Sequence, residues 1–293
     1  MEFFRPATWS DALAIKAGEP GALPLAGGTD VMVDINFDRA RPAALLDLTG
    51  IAGLAEWAAG DGVIRLGAGV TYARVISELA GQLPGLALAA RTVGSPQIRN
   101  RGTVAGNLGS ASPAGDAHPP LLACDTVVLA ESLRGTRRIP IRDFYTGVKR
   151  SALAADELIA AIEVPVADGP QQFAKVGVRN AMVIAVSSFA LALHPGRGRV
   201  GTGFGSAAPT PRPAGAAEDF LSAELADAGL WESRGPLPEA VTARFAGLVA
   251  QAAAPIDDVR GTAAYRRHAL AVLARRTLAW AWRSFQREDP PCG

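Results

Sequence analysis

Arg101-Gly102-Thr103-Val104-Ala105-Gly106-Asn107-Leu108-Gly109-Ser110-Ala111-Ser112-Pro113-Ala114-Gly115-Asp116 is the stretch from which the architecture can be worked out. It is long, polar and glycine-rich, and such a segment is uncommon in a compact domain unless something orders it. Its small residues permit close approach of a ligand. Thr103, Asn107 and Ser112 can hydrogen-bond to phosphate or ribose. Asp116 can accept from ribose hydroxyls, or cap a helix over His118–Ala123, and the spacing does not choose between the two.

A second loop lies upstream: Pro24-Leu25-Ala26-Gly27-Gly28-Thr29-Asp30-Val31. An apolar run feeds a double glycine, then a capping pair, then a helix. Glycine tolerates positive φ and exposes backbone N–H groups. The helix start adds free amides and the positive end of a dipole, which suits a phosphate. A plain strand-to-helix turn explains the same spacing equally well. Together, the two loops point to a large phosphate-bearing ligand. No Lys follows a Gly, so there is no Walker A loop; neither glycine loop carries a GxGxxG fingerprint, and no GxSxG or HExxH pattern occurs. The site is therefore expected to be neither a P-loop nor a Rossmann site.

The surroundings narrow the class. The chain has 293 residues, enough for two or three packed units, and its hydrophobic content of 49% against 19% charged argues for a folded, soluble protein. A net charge of +1 gives no reason to expect nucleic acid or an anionic membrane as partner. Two distant cysteines, Cys124 and Cys292, and the scattered His118, His194 and His268 build neither a metal site nor an iron–sulfur cluster. The cysteine usage fits a reducing cytoplasm. The N-terminal segment is too charged for a secretory signal, and no run of about 20 apolar residues spans a membrane.

Coarse periodicity predicts a helix from Thr8 or Ser10 to Lys16, a strand at 22–26, a helix at 31–37 and a strand at 44–47. Strands are expected at 63–66, 126–130, 137–141 and 158–164. Helices are expected at 72–79, 85–92 and 117–123. Asp168-Gly169-Pro170 marks a boundary. Beyond it, 172–178, 182–193 and 199–205 read as three antiparallel strands. Helices at about 214–225, 238–252 and 262–287 follow, and in the last of these Tyr265, Ala269, Val272, Arg276 and Ala279 share one face. Gly201-Thr202-Gly203-Phe204-Gly205 imitates a nucleotide loop but reads as a strand. The three histidines read as structural or solvated, and Trp280 and Trp282 as core residues or partner contacts, with the core preferred.

These motifs resemble the FAD-binding subunit or domain of the xanthine dehydrogenase and carbon monoxide dehydrogenase family. PLAGGTDV is similar to that family's first FAD loop, and TVGSPQIRNRGTVAGNLGSASPAGDAHPPLLA to its second. ELIAAIEVP, FAKVGVRNAM and IDDVRGTAAYRRHALAVLARRTL resemble its later segments, so the likeness runs from about Phe3 to Phe285. The resemblance implies an α+β chain. Two small α/β subdomains, 1–53 and 54–167, would form a vanillyl-alcohol-oxidase-type (PCMH-type) FAD-binding domain. A C-terminal antiparallel sheet with helices would occupy 170–288.

The resemblance also implies site residues. Pro24, Leu25, Ala26, Gly27, Gly28, Thr29, Asp30 and Val31, with Thr103, Val104, Ala105, Gly106 and Asn107, would hold the pyrophosphate and adjoining ribitol of a non-covalent FAD. Asp116 would bond to polar substituents of the flavin or to the cofactor chain. Val93 and Ile159 would pack on its rings, and Lys175 would lie near the isoalloxazine. Ala105-Gly106 departs by one methyl from the family's usual pair of glycines. The implied partners are a large molybdenum–pterin subunit and a small subunit with two [2Fe-2S] clusters, in a dimer of heterotrimers. Electrons would leave for NAD+ or another acceptor, with the xanthine dehydrogenase type first among the family. A variant with an iron–sulfur insertion needs cysteines this chain lacks. A stand-alone flavin oxidase of the vanillyl-alcohol-oxidase type, or a non-catalytic nucleotide-binding scaffold, are the competing readings.

Overall fold

The computed structural model describes residues 1–287; Cys292 and the expected domain end at 288 lie outside them. The first unit is a three-stranded parallel sheet, β1 (Glu2–Phe4), β2 (Leu23–Leu25) and β3 (Ala44–Asp47), in the order β1-β3-β2, with α1 (Trp9–Gly18) and α2 (Val31–Asn36). Thr8 caps α1 by accepting from the Asp11 amide, as its position before the helix suggests. Lys16 is buried and donates Nζ to the carbonyls of Pro20 and Ala22, which fastens the helix end to the strand entry. The chain-start strand β1 was not anticipated. It has three residues, and it exists through pairing with β3 about forty positions away.

The second unit is a five-stranded antiparallel sheet, β4 (Trp57–Gly60), β5 (Val63–Gly67), β6 (Val127–Ser132), β7 (Gly135–Pro140) and β10 (Leu158–Pro165), in the order β4-β5-β10-β6-β7. Against it pack α3 (Tyr72–Glu78), α4 (Pro84–Thr92), α6 (Val104–Ser110), α7 (His118–Ala123) and the short α8 (Ile141–Phe144), while α5 (Pro96–Arg101) lies on α3. A small hairpin, β8 (Tyr145–Gly147) and β9 (Arg150–Ser151), stands beside it. β10 reads as a continuous apolar run because it is the middle strand, with only Glu163 and Pro165 less than buried.

The segment 93–116, whose second part (101–116) reads from sequence as a glycine-rich loop, is partly helical. It contains two short helices, α5 and α6. Ser95 and Thr103 cap them by accepting from the Ile98 and Gly106 amides, and Pro96 sits at the first helical position. Glycines at Gly106 and Gly109 hid the second helix from a propensity argument.

The third unit is an antiparallel sheet, β11 (Gln171–Val176), β12 (Ser187–His194) and β13 (Arg199–Gly205), covered by α9 (Gly215–Asp227), α10 (Leu230–Ser233), α11 (Glu239–Ala252) and α12 (Ala263–Arg287). The expected strand at 182–193 begins only at Ser187; residues 182–186 stay outside the ladder, with Met182 at φ +49°. Trp282 is buried and donates to the Gly235 carbonyl, whereas Trp280 remains exposed. The buried stripe of α12 is Arg266, Ala269, Leu270, Leu273, Ala274, Thr277, Leu278, Ala281, Trp282 and Phe285, so of the face drawn through Tyr265, Ala269, Val272, Arg276 and Ala279 only Ala269 is in the core.

The Gly201–Gly205 run is a strand, and its glycines have a packing reason. A β-carbon on Gly201 would lie 2.0 Å from the Ala123 carbonyl oxygen, and one on Gly203 would lie 2.1 Å from that of Pro119. The strand thus presses against the backbone of α7, locking the third unit onto the second. His194 strengthens that seam: it is buried, with Nδ1 2.9 Å from Asp168 and Nε2 3.0 Å from the Ala123 carbonyl. Glu218 ties it further, accepting from Thr202 and Arg142.

Candidate functional site

The two glycine loops meet. A β-carbon on Gly27 would lie 2.0 Å from the Arg101 carbonyl oxygen and 2.9 Å from the Gly102 Cα, so only glycine allows this contact. One on Gly106 would lie 4.0 Å from Ala26 Cβ. The second loop is itself anchored to the sheet, since Tyr72 N–H donates to the Gly102 carbonyl and Val104 N–H to that of Val70. Residues separated by about 75 positions are thereby set side by side at the edge of the two parallel and antiparallel sheets.

The first loop carries the donors. Gly28 takes φ +76°, and α2 starts immediately after Asp30. Among the described residues no protein acceptor engages the backbone N–H groups of Gly27, Gly28, Thr29 and Asp30. Asp30 makes no capping side-chain bond either. Four successive free amides form a small field of positive charge that suits an anionic group. Pro24 and Leu25 lie in β2 and lead into the turn, and Val31 opens α2.

In the second loop, Thr103 Oγ1 accepts from Gly106 N–H at 2.9 Å and keeps its own proton to donate. Val104 and Ala105 are buried and hold α6 to the core, while Gly106 is exposed. Ser112 accepts from the Ala114 amide at 3.4 Å. Val93 ends α4 and packs at the rim of the core, its carbonyl accepting from Arg99. Ile159, on β10, is buried, and its Cδ1 would lie 4.0 Å from a β-carbon on Gly109.

Asp116 does not cap α7; the position before that helix is Ala117, with no side-chain cap. Its Oδ2 instead accepts from Lys175 Nζ at 2.6 Å, and both side chains are about nine-tenths buried. Lys175 Nζ also donates to the carbonyls of Thr92 at 3.0 Å and Val183 at 3.1 Å, which uses all three of its protons. Burial pushes the Asp116 carboxyl up to about 6, against the opposing pull of the Lys175 ammonium. Lys175 also borders a cleft of about 480 Å³, lined further by Arg91, Arg99, Arg179 and Met182.

Several buried polar atoms here have no protein partner: Tyr72 Oη, Asn107 Oδ1, Asp116 Oδ1 and His118 Nε2. Such atoms cost about 1–3 kcal/mol each when left unmade, so their concentration around one loop is what a polar ligand site looks like. Burial raises the Tyr72 phenol well above its ordinary value, with the carboxylates of Asp116 and Asp30 adding to the effect. Tyr72, Tyr145 and the His118 ring escaped sequence reasoning, because nothing in their spacing distinguishes them from core residues.

This arrangement defines a mixed α/β flavoprotein fold. It superposes on carbon monoxide dehydrogenase from Oligotropha carboxidovorans with a TM-score of 0.85 at 25% identity, covering 97% of this chain and 98% of that one. Quinoline 2-oxidoreductase from Pseudomonas putida 86 shares the fold, with a TM-score of 0.87 at 23% identity and 98% coverage of both chains. Residues 1–167 match the family of the FAD binding domain in molybdopterin dehydrogenase, and 172–281 match the CO dehydrogenase flavoprotein C-terminal domain; the chain belongs to this family of FAD-binding oxidoreductase subunits. Among its relatives are a putative xanthine dehydrogenase FAD-binding subunit of Escherichia coli K12, 30% identical over 95% of both chains. Another is the nicotine 6-hydroxylase medium subunit of Paenarthrobacter nicotinovorans, 31% identical over 96% of this chain and 97% of that protein. No described helix is long and apolar enough to cross a membrane.

Proposed function

We propose that this chain is the electron-carrying subunit of a cytoplasmic molybdenum hydroxylase, holding a non-covalent FAD between its two glycine loops. The observation that carries the reading is the contact of Gly27 with Arg101 and Gly102, beside four amides with no protein acceptor. The amides of residues 27–30 and the Thr103 hydroxyl would bind the diphosphate. Asn107 and Ser112 would bond to the ribitol side, Ile159 and Val93 would pack on the rings, and Asp116 Oδ1 would accept from a polar edge. The units 1–53, 54–167 and 170–288 would act as two halves of the cofactor cradle and a third, supporting domain.

When bound, the flavin ring supplies the redox chemistry, accepting electrons singly and releasing them in pairs. The protein's part is position and field. Lys175 has its donors taken by Asp116, Thr92 and Val183, so its role is to hold Asp116 charged and fixed rather than to donate to the ring. Desolvation of the pair strengthens that fixed field.

Substrate oxidation then belongs to other subunits, a molybdenum–pterin large subunit and a [2Fe-2S] small subunit, assembled as a dimer of heterotrimers. Electrons would pass from the clusters to this chain and on to NAD+ or another acceptor. The xanthine dehydrogenase type is favoured by a relative matched over 95% of both chains. A relative of the nicotine-hydroxylating type at similar identity keeps N-heterocycles as the second reading. Co-purification from the native host tests this. Two partner chains, with flavin and iron–sulfur bands in the visible spectrum, are expected; a solitary, colourless chain would refute it.

A further inference from the structure

His118 is fully buried on the first turn of α7, one turn from the second glycine loop. Its Nδ1 lies 2.7 Å from the Tyr145 hydroxyl, and the two rings meet edge to face with centroids 5.0 Å apart. Its Nε2 has no partner, nor has Asn107 Oδ1. Both atoms border the same small space, because a β-carbon on Gly115 would lie 2.2 Å from His118 Nε2 and 2.8 Å from Asn107 Oδ1. Asn107 as a residue is part exposed although this oxygen is buried, so its amide nitrogen is the end left toward the outside.

We propose that His118 orients the Asn107 amide, donating from Nε2 to Oδ1 so that the Nδ2 protons are presented to the cofactor groove. The inference rests on the reading that the second loop holds FAD. Tyr145 sets the tautomer. Its phenol has a proton to give, and giving it to Nδ1 leaves the ring's own proton on Nε2. The phenol stays protonated because burial raises it well above its ordinary value. Burial also pushes the imidazole down to about 3, against the opposing effect of the Ser112 backbone carbonyl beside the ring, so the ring is neutral and carries one N–H at physiological pH. An Asn amide free to flip would offer its oxygen to a phosphate in one of two states. A neutral histidine donor behind it removes that state. Tyr145 and His118 are thus positioning residues: neither is placed against the cofactor, and both act through Asn107.

The test combines a spectrum and an affinity. In the wild-type chain, ¹⁵N resonances of His118 are expected to report the Nε2–H tautomer. Y145F, which removes one hydroxyl from a part-buried ring, is expected to shift that signal. FAD titration of flavin-free chain is expected to show about tenfold weaker binding for H118F. In an N107A background the same substitution should have no further effect, because the amide it orients is gone. An Nδ1–H tautomer in the wild type overturns the proposal, as do additive effects of H118F and N107A. If N107A binds FAD normally, the assignment of Asn107 to the cofactor fails and the proposal fails with it. If N107A is weakened and folded H118F is not, only the positioning role fails. Should H118F not fold, the wild-type tautomer and the Y145F affinity decide.

Discussion

Replacing Gly27 by alanine tests the meeting of the two loops. The added β-carbon would sit 2.0 Å from the Arg101 carbonyl oxygen and 2.6 Å from its carbon, both backbone atoms that cannot rotate away. Ordinary contact starts at 3.4 Å. The turn must therefore retreat by the difference, about 1.4 Å, from the second loop. Displacement of that size breaks hydrogen bonds from fixed amides to a diphosphate, each worth about 1.5–3 kcal/mol for a charged acceptor. Losing one of them weakens FAD binding by roughly 10- to 100-fold. The rest of the fold has its own cores and should stay intact. Gly18→Ala is the control, since a methyl there meets nothing within 4 Å. The assay is fluorescence titration of FAD into flavin-free chain, with circular dichroism to confirm folding. Normal affinity in folded G27A would refute the reasoning, since it would mean that the contact has no bearing on the cofactor.

Gly106→Val should also remove flavin. A β-carbon there would lie 2.9 Å from Thr103 Oγ1, so a branched side chain displaces the α6 cap and enters the groove; flavin absorbance of the purified variant reads the outcome, and full occupancy in a folded chain counts against the loop. Lys175→Met leaves the Asp116 carboxylate buried without its partner. It should cost about 3–5 kcal/mol of stability and lower flavin content, both measurable by thermal unfolding and absorbance, and a neutral result would count against the ion pair. The raised Asp116 pKa has a sign that can be checked. The folded chain binds this proton more tightly than the unfolded one, so the group's favourable contribution is present below its ordinary value of 3.8 and is lost as pH rises through about 6. The Tm difference between wild type and D116N should therefore change across that window and level off above it; a flat difference would refute the raised value. Gly203→Val should separate the third unit from α7, because its side chain would meet the Pro119 backbone at 2.1 Å; faster proteolysis near residues 167–170 is expected, and unchanged protection would refute the seam.

Much of this was legible in the residues, for physical reasons that differ by element. The second loop declared itself through composition, since a polar, glycine-rich run is costly to order without a purpose. The strand β10 and the extents of α9, α11 and α12 followed from their apolar runs and boundary residues, but the buried face of α12 did not, since of the face drawn through it only Ala269 is in the core. What stayed hidden was set by distant partners. β1 forms only because β3 lies alongside it, and β4 only because β5 does. The Gly201–Gly205 run reads as a strand from sequence, but the reason for its glycines shows only where α7 supplies the backbone they pack against. The Asp116 carboxylate could have capped a helix or met a ligand, and only the fold brought Lys175 within 2.6 Å of it. His118 and Tyr145 stand twenty-seven positions apart and carry no shared motif, so their hydrogen bond is a product of folding alone.

The most direct measurement is the crystallographic position of the diphosphate in the FAD-loaded chain. Phosphate oxygens should lie within hydrogen-bonding distance of the Gly27–Asp30 amides and of the Thr103 hydroxyl at once. A diphosphate held by one turn alone, or seated in the arginine-lined cleft beside Lys175 instead, would contradict the account.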